Sequence, residues 1–227
     1  MAIKRKTTKA EPIKVILPFL NEELKINDDL KGLLQREDIV EYIHFTRGVT
    51  DTINRPYLTI RNCVFSQQLF FDCLFKSAQI SDVRFENCDL SNIQLAESSF
   101  HRVEFISCKL LGANLSEATL NHVRMHDCNG KYINLSMSKL TQVRFSECDF
   151  QQGSFNHCRF AQIAFDTCRF SEADFSQTPL KGLDFRTCNI ERLSLNAQDI
   201  RGAIVSSSQL MDLIPLLGVV VRDFSTD

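Results

Sequence analysis

Several features that commonly identify a class of protein are missing from this chain of 227 residues. No apolar run is long enough to span a bilayer. The first residues are basic, but the apolar stretch Ile13–Leu20 contains Lys14 and ends at Asn-Glu-Glu, so we expect a solvated tail and not a signal peptide. The formal net charge is −2, and residues 55–203 hold 16 basic and 16 acidic side chains. This balance excludes a plain basic protein that binds nucleic acid.

Motifs of common catalytic and cofactor-binding sites are absent as well. The chain contains no P-loop, GxGxxG, GxSxG or HExxH motif. His122 and His126 are four residues apart, which would suit a metal site on a helix, but the repeat described next places them on different sides of a corner. We therefore predict a protein that is not an enzyme and that binds no cofactor and no metal.

What the chain does have is a five-residue frame. Between residues 60 and 200, every position divisible by five carries Phe, Leu, Ile or Met, except Gly130. A period of five fits neither an α-helix nor a long strand, and a short period over most of a chain is typical of a solenoid. All nine cysteines stand two positions before a frame residue: Cys63, Cys73, Cys88, Cys108, Cys128, Cys148, Cys158, Cys168 and Cys188.

A second period of twenty residues shows how many sides each coil has. Cysteine recurs every twenty residues from Cys88 to Cys188, and a Val, Ile or Leu column recurs in the same way from Val83 to Leu183. Four pentapeptides then form one coil, with two of every five side chains inside. The sequence predicts an all-β solenoid of about seven coils, roughly 34 Å long at the spacing of paired strands. At Gly130, which lacks the frame side chain, we expect a dent or a bulge.

The cysteines have a packing role in this arrangement. Their number is odd and no CxxC occurs, which argues against a disulfide framework. Small buried thiols suit the inward column, and they stay reduced in a cytosol. A metal cage and a thiol-based redox sensor remain alternatives, although inward thiols in an apolar core react slowly.

The two ends lie outside the frame and are expected to cap the solenoid. We divide the chain into an N-terminal arm and cap (1–54), a β-helix (55–203) and a C-terminal cap and dimerisation segment (204–227). Ser206–Ser208 offers N-cap hydroxyls, Pro215 limits the helix that follows, and Gly218 suits its end. The segment is more apolar than a cap needs, so we expect it either to fold back on the last coil only or to form a dimer interface through Leu210, Leu213, Ile214, Leu217, Val219, Val220 and Val221.

The segments ANLSE (113–117) and ADFSQ (173–177) match the A(D/N)LXX signature, and the sequence therefore resembles the pentapeptide-repeat proteins over about 55–203. That resemblance implies a right-handed quadrilateral β-helix with a short C-terminal helix and strand cap. Within the family the chain is similar to the quinolone-resistance (Qnr-type) group, in its loopless chromosomal Gram-positive form. The similarity rests on SFHRVEF (99–105), PLKGLDF…IERLSL (179–195) and the terminal LLGVVV.

The resemblance implies a cytoplasmic bacterial homodimer that mimics DNA and binds a type II topoisomerase, either DNA gyrase or topoisomerase IV. Such a protein confers quinolone resistance, protecting its partner from the drug or from a toxin. A DNA mimic needs acidic side chains on its surface, and on one side of the rod we select Glu86, Asp127, Glu147 and Asp166. The alternative is a structural scaffold with an unknown protein partner, which the nearly uncharged stripe from Gln94 to Ser194 favours.

Overall fold

The computed structural model describes residues 13–219. Its strands are β1 (Lys25–Asn27), β2 (Ile39–Glu41), β3 (Ile43–Phe45), β4 (Gly48–Asn54), β5 (Thr59–Ser66), β6 (Gln68–Leu74), β7 (Gln79–Glu86), β8 (Ser99–Ile106), β9 (Thr119–His126), β10 (Lys139–Ser146) and β11 (Arg159–Asp166). Its helices are α1 (Leu30–Arg36) and α2 (Leu210–Leu213), the latter between 3₁₀ turns at Ser207–Gln209 and Ile214–Leu217. None of these helices is both long enough and apolar enough to cross a membrane.

The strands stack as a parallel ladder with a step of twenty residues. The order β5-β7-β8-β9-β10-β11 runs along one side of the molecule, and Phe85, for example, pairs with Phe65 before it and Phe105 after it. Single-residue parallel bridges with the same step, such as Asp89 to Lys109, continue the pairing on other sides. The predicted parallel β-solenoid of about seven coils is confirmed.

The four sides of the coil can be named by their side chains. The valine face carries the inward column from Val83 to Leu183, and the cysteine face carries the column from Cys88 to Cys188. The amide face presents Gln94, Asn114 and Asn134 outward. The fourth side, the serine face, has the buried Ser98 and Ser138, whose hydroxyls donate to backbone oxygens of Phe75 and Leu115.

The inward columns form one continuous apolar core. Phe65, Phe85 and Phe105 stack with ring centroids 4.9 and 5.0 Å apart, and such offset stacking adds to the stabilisation gained by burial. All nine cysteines are buried and none forms a disulfide. The pairing step of twenty residues is what places identical side chains on top of each other.

Most corners of the coil are made by a residue with left-handed backbone geometry. The non-glycine residues with positive φ all stand two positions after a frame residue, as Asp82, Arg102 and His122 do. This conformation is uncommon outside glycine, and the paired coils on both sides hold it in place. The corner side chains consequently point outward along four edges of the rod.

The paired coils begin before residue 55. β2 and β3 pair with β5, and β4 pairs with β6, so the N-terminal segment that the sequence divides off at 54 includes a paired coil. The frame position at residue 55 carries an arginine instead of an apolar residue. Its guanidinium donates to the carbonyl oxygens of Leu34 and Gln35 at the end of α1. These carbonyls have no partner within the helix. Leu30 and Leu34 of α1 are buried, and the helix covers the N-terminal end of the core.

The C-terminal end is closed by the short helical segment. Gln209 is its central contact, since its side-chain nitrogen donates to the carbonyl oxygens of Phe185 and Cys188 at 2.8 and 2.7 Å. Its side-chain oxygen accepts from the backbone N–H of Ser206 at 2.8 Å, which forms a capping box. Gly218 ends the segment with a φ of 69°, as expected from the sequence.

Gly130 causes neither a dent nor a bulge, so that expectation was wrong. Its backbone N–H donates to the carbonyl oxygen of Asp149 at 2.8 Å, and the neighbouring Asn129 pairs regularly with Asp149. The missing side chain is replaced by the ring of Phe150 from the next coil, and a Cβ on Gly130 would lie only 2.6 Å from Phe150 Cε1.

We expect Gly130→Ala to destabilise the protein by about 1–3 kcal/mol, because the buried Phe150 ring has to move. At a site without this contact, Gly→Ala on a compatible backbone gains roughly 0.4–1 kcal/mol. Adding Phe150→Leu should recover part of the loss. Thermal unfolding of both variants, followed by circular dichroism, measures the effect. A rise in Tm for Gly130→Ala alone would show that the ring does not occupy this space.

Candidate partner-binding surfaces

Three of the four acidic residues selected from the sequence lie together on one edge of the rod. This acidic edge is the row of corners between the valine face and the cysteine face. Asp127 and Glu147 occupy equivalent corner positions on consecutive coils, and the backbone N–H of Glu147 donates to the carbonyl oxygen of Asp166 at 2.9 Å. Coils are about 4.8 Å apart, so the three carboxylates belong to neighbouring coils.

None of the cationic side chains described in residues 13–219 neutralises these three carboxylates. Within residues 13–219, Asp127, Glu147 and Asp166 form no ion pair, and the only side-chain partners of Asp127 and Asp166 there are the hydroxyls of Ser107 and Thr167. Their negative charge is therefore available to cationic groups of a partner.

Glu86 differs from the other three. It stands on the same edge, two coils closer to the N-terminus than Asp127, and it forms an ion pair with Arg84 at 3.5 Å. The structure therefore does not bring Glu86 into the acidic cluster.

Asp149 is a member of this surface that the sequence reasoning missed. It lines an open recess of about 540 Å³ together with Asp127 and Glu147. Lys131 and Arg169, at 3.5 and 3.8 Å, pair with its carboxylate. The period of twenty residues could have indicated the pairing of Asp149, because Arg169 stands twenty positions after it.

On the valine face, a buried carboxylate joins two arginines. The side chain of Glu104 is 2% exposed, and its two oxygens contact Arg84 at 2.9 Å and Arg124 at 3.4 Å. All three residues point outward from the core, yet Glu104 is inaccessible to solvent. This triad holds three consecutive coils together, and the Glu104 carboxylate is not available to a partner.

At the C-terminal end, part of the predicted dimer interface is exposed. Leu210 and the adjacent Met211 are more than half exposed, as is Val219, whereas Leu213 packs against the core. Ile214 is half-buried, and Leu217 belongs to the last 3₁₀ turn. Val220 and Val221 lie outside the described residues. Exposed apolar side chains at an end of the rod favour association, and the dimer stays a prediction.

Three of the buried cysteines, Cys63, Cys73 and Cys158, lie outside the cysteine face and have unreactive thiols. Burial raises the pKa of Cys63 and Cys73 to about 11 and that of Cys158 to about 12, so these groups are protonated at neutral pH, and the thiol is a poor nucleophile. The sulfur of Cys108 donates to the carbonyl oxygens of Phe85 and Ile106 at 3.4 Å. In the part of the chain that the structure describes, no group of three or more potential ligands could hold a metal ion.

A second edge of the rod is covered by the chain's own N-terminus. The strap, residues 13–20, lies along the strap edge, the row of corners between the serine face and the valine face. Its backbone is bound by corner side chains: the N–H of Ile16 donates to His122 Nδ1 at 3.2 Å, and the N–H of Phe19 donates to Asp82 Oδ1 at 2.9 Å.

Asp82 and Arg102 give the strap edge its charges. Burial by itself would raise the pKa of Asp82, but hydrogen bonds from Arg102 and from the Phe19 N–H lower it below its ordinary value. The guanidinium of Arg102 also lies 5.0 Å from the centre of the Phe19 ring, which is within the range of a cation–π contact. Lys14 is the charged residue of the strap itself.

The bond to His122 makes attachment of the strap dependent on pH. His122 Nδ1 accepts a hydrogen bond, so it is unprotonated there. Burial, and then the charges of His101 and Arg102, lower the pKa of His122. The detached strap exposes the ring and raises its affinity for protons. Attachment is therefore complete above the ordinary histidine pKa of about 6.5 and weakens as the pH falls below it.

We expect the amide resonance of Ile16 to move toward the position of a detached strap as the pH is lowered from 8 to about 5.5, through the ordinary histidine range. The control is His122→Asn, because its side-chain oxygen accepts the same hydrogen bond and does not titrate. An identical shift in the wild type and in His122→Asn would contradict the role of the imidazole. Two-dimensional NMR of the labelled full-length chain measures it.

Family models of pentapeptide repeats match the central coils. A model described as "Pentapeptide repeat region" matches residues 98–155, and one described as "Pentapeptide repeats (8 copies)" matches residues 78–110 and 144–178. No curated protein matches the sequence.

Solved structures with a similar fold include full-length QnrB1, described as a plasmid-mediated fluoroquinolone resistance protein. It has 21% sequence identity and a TM-score of 0.41, over 86% of this chain and 95% of that chain. HetL from the cyanobacterium Nostoc sp. strain PCC 7120, a pentapeptide repeat protein involved in heterocyst differentiation regulation, has 15% identity and a TM-score of 0.47, over 73% of this chain and 84% of that chain. With identities below 25% and TM-scores below 0.5, these structures carry no argument about this chain, and function has to be argued from its own surfaces.

Proposed function

This chain is a pentapeptide-repeat protein, and we propose that it binds a type II topoisomerase, DNA gyrase or topoisomerase IV, and protects it from quinolones or toxins. The proposed protein acts in the bacterial cytoplasm as a DNA-mimicking homodimer and catalyses no reaction. The observation that supports this proposal best is the row of carboxylates at Asp127, Glu147 and Asp166, which form no ion pair within residues 13–219. A topoisomerase binds DNA through basic side chains, and a rigid acidic edge offers those side chains a substitute for phosphate.

The rigidity of the rod is part of the argument. The acidic corners are fixed by backbone hydrogen bonds to the next coil, such as Asp127 N–H to Ser146 O at 3.0 Å. A fixed row of charges loses little conformational entropy on binding, which favours association with a preformed basic groove. The C-terminal side chains Leu210, Met211 and Val219 would join two such rods end to end in the proposed dimer.

The experiment is a supercoiling assay with gyrase and ciprofloxacin, titrated with this protein from nanomolar to tens of micromolar. We expect the wild type to relieve inhibition by the drug. Asp127→Asn/Glu147→Gln should need at least about tenfold more protein for the same effect, since charges at an interface govern the association rate. The matched control is Asp72→Asn/Glu117→Gln, which removes two carboxylates from other corners. Topoisomerase IV decatenation tests the second enzyme.

A wild-type protein that neither relieves the drug nor changes supercoiling in either enzyme would refute the proposal. Equal loss in the edge variant and the control variant would show that overall charge, and not this edge, governs binding.

A second candidate is a structural scaffold that binds another protein through apolar contacts. It is favoured by the exposed side chains of Val49, Leu69, Phe71 and Leu74, which lie on adjacent coils around the corner between the cysteine face and the amide face. Equivalent outward positions elsewhere on the rod are mostly polar, and a cluster of exposed apolar side chains commonly marks an interaction site. Loss of a captured partner in Phe71→Ser, with topoisomerase assays unaffected, would support this candidate.

A further inference from the structure

The strap edge recognises an extended peptide by its backbone. The strap has no strand pairing with the coils and crosses them along the axis of the rod. From Ile16 to Phe19 an extended chain advances about 10 Å, and the two coils between His122 and Asp82 rise about 9.6 Å. Three peptide residues therefore match two coils, and this register brings the N–H groups of Ile16 and Phe19 each to an acceptor on the edge.

The edge also selects among side chains. The coil between the two acceptors contributes Arg102, whose guanidinium cannot accept a hydrogen bond. This coil lies between the contacts of Ile16 and Phe19. The strap has Pro18 there, which has no N–H to donate. The next residue is aromatic and lies against the Arg102 guanidinium. The preferred ligand is thus an extended apolar segment with a proline directly before an aromatic residue.

The acceptors are built into the rod. Asp82 is 7% exposed and His122 is 9% exposed. Asp82 is held by two hydrogen bonds from Arg102, each of 2.6 Å. The groove continues past Ile13 over Phe160, Ile163 and Leu183. These side chains belong to the coils, so the edge keeps its shape when the strap leaves.

The strap itself is held weakly. Its aromatic residue Phe19 is 65% exposed, and Ile16 and Leu17 also leave more than a third of their surface in solvent. The third contact, from Gln142 to the carbonyl oxygen of Lys14, is 3.5 Å long. A segment with few buried contacts opens at low cost, and its attachment depends mainly on the high effective concentration that the tether provides.

We propose that the strap edge is a binding groove for an extended apolar peptide of a partner protein, carrying the proline–aromatic pair, and that residues 13–20 occupy it as an internal competitor. The strap then sets a threshold: a foreign segment binds only when its affinity exceeds that of the tethered strap. This surface lies on a different edge from the acidic residues and acts independently of them.

The test uses the full-length chain and a fluorescent peptide with the sequence of residues 13–22. In Ile16→Pro/Phe19→Pro the strap loses both N–H donors, which frees the groove without altering the coils. We expect the peptide to bind this variant, measured by fluorescence anisotropy, at least about tenfold more tightly than the wild type, where the tethered strap competes. A peptide with the same two proline substitutions is the control.

The proposal fails if the unmodified peptide binds the double variant no better than the proline-substituted peptide. Should the double variant unfold, Phe19→Ala provides the same comparison with a smaller change, because Phe19 lies outside the core. A concentration-dependent dimer of the wild type that disappears in these variants would assign the edge to a second copy of the chain and overturn the proposal of a foreign peptide.

Discussion

Replacing Phe145 with alanine is expected to lower the free energy of unfolding by about 3–5 kcal/mol, the usual cost of removing a buried aromatic ring. The side chain is fully buried, and its ring contacts Phe150 edge-on at 5.2 Å and stacks with Phe165 at 5.5 Å. Because Phe145 pairs with Met125 on the coil before it and with Phe165 on the coil after it, the cavity cannot close without disturbing the pairing of the backbone. Chemical unfolding, with midpoint and m value compared, measures this effect.

The matched control is Glu147→Ala, two residues away on the same coil. Glu147 is exposed and forms no ion pair within residues 13–219, so its replacement should change stability by less than about 0.5 kcal/mol. Similar losses in Phe145→Ala and Glu147→Ala would mean that the inward and outward positions have been assigned incorrectly.

Glu104→Ala should destabilise the protein by about 1–3 kcal/mol. The change removes the carboxylate that pairs with both Arg84 and Arg124. Breaking a fully buried ion pair typically costs about 3–5 kcal/mol. The two arginines are about a third exposed, and water can rehydrate them, which reduces the cost.

Glu172→Ala is the control for this prediction, because it has the same arrangement at the surface. Glu172 accepts hydrogen bonds from Gln152 and Arg192, one coil away on either side, but its side chain is 39% exposed. We expect a much smaller loss of stability than for Glu104→Ala, because solvent screens an exposed ion pair. Equal losses at Glu104 and Glu172, measured by thermal unfolding at low and high salt, would show that burial does not set the strength of the triad.

Many ion pairs on this rod follow one rule, which is that the two partners stand twenty positions apart in the sequence. Asp82–Arg102, Asp89–Lys109 and Glu172–Arg192 are each twenty residues apart. The same spacing offers Asp127 and Glu147 no cationic partner, and within residues 13–219 neither forms an ion pair. The rule fails at Asp166, for which the partner at that spacing is Arg186, because Arg186 pairs with Asp184 on its own coil. The choice between such partners depends on side-chain rotamers and not on spacing.

The N-terminal boundary illustrates a second limit of the sequence. Thr50 and Arg55 stand at frame positions of the first coil, where the repeat would have an apolar residue. The guanidinium of Arg55 donates hydrogen bonds to carbonyl oxygens of α1. This helix lies outside the repeat. A periodic pattern cannot indicate a requirement that arises from a segment without the period.

The coil, its four sides, the inward columns and the burial of the cysteines could all be predicted from the sequence. These features follow from contacts between residues five or twenty positions apart, which repeat along the chain and are visible as a pattern. Four other features are seen only in three dimensions: Phe150 fills the space at Gly130, Arg55 caps α1, Glu86 is separate from the acidic cluster, and the strap occupies an edge. Each of these depends on a contact that occurs once, between side chains whose positions are set by packing in three dimensions.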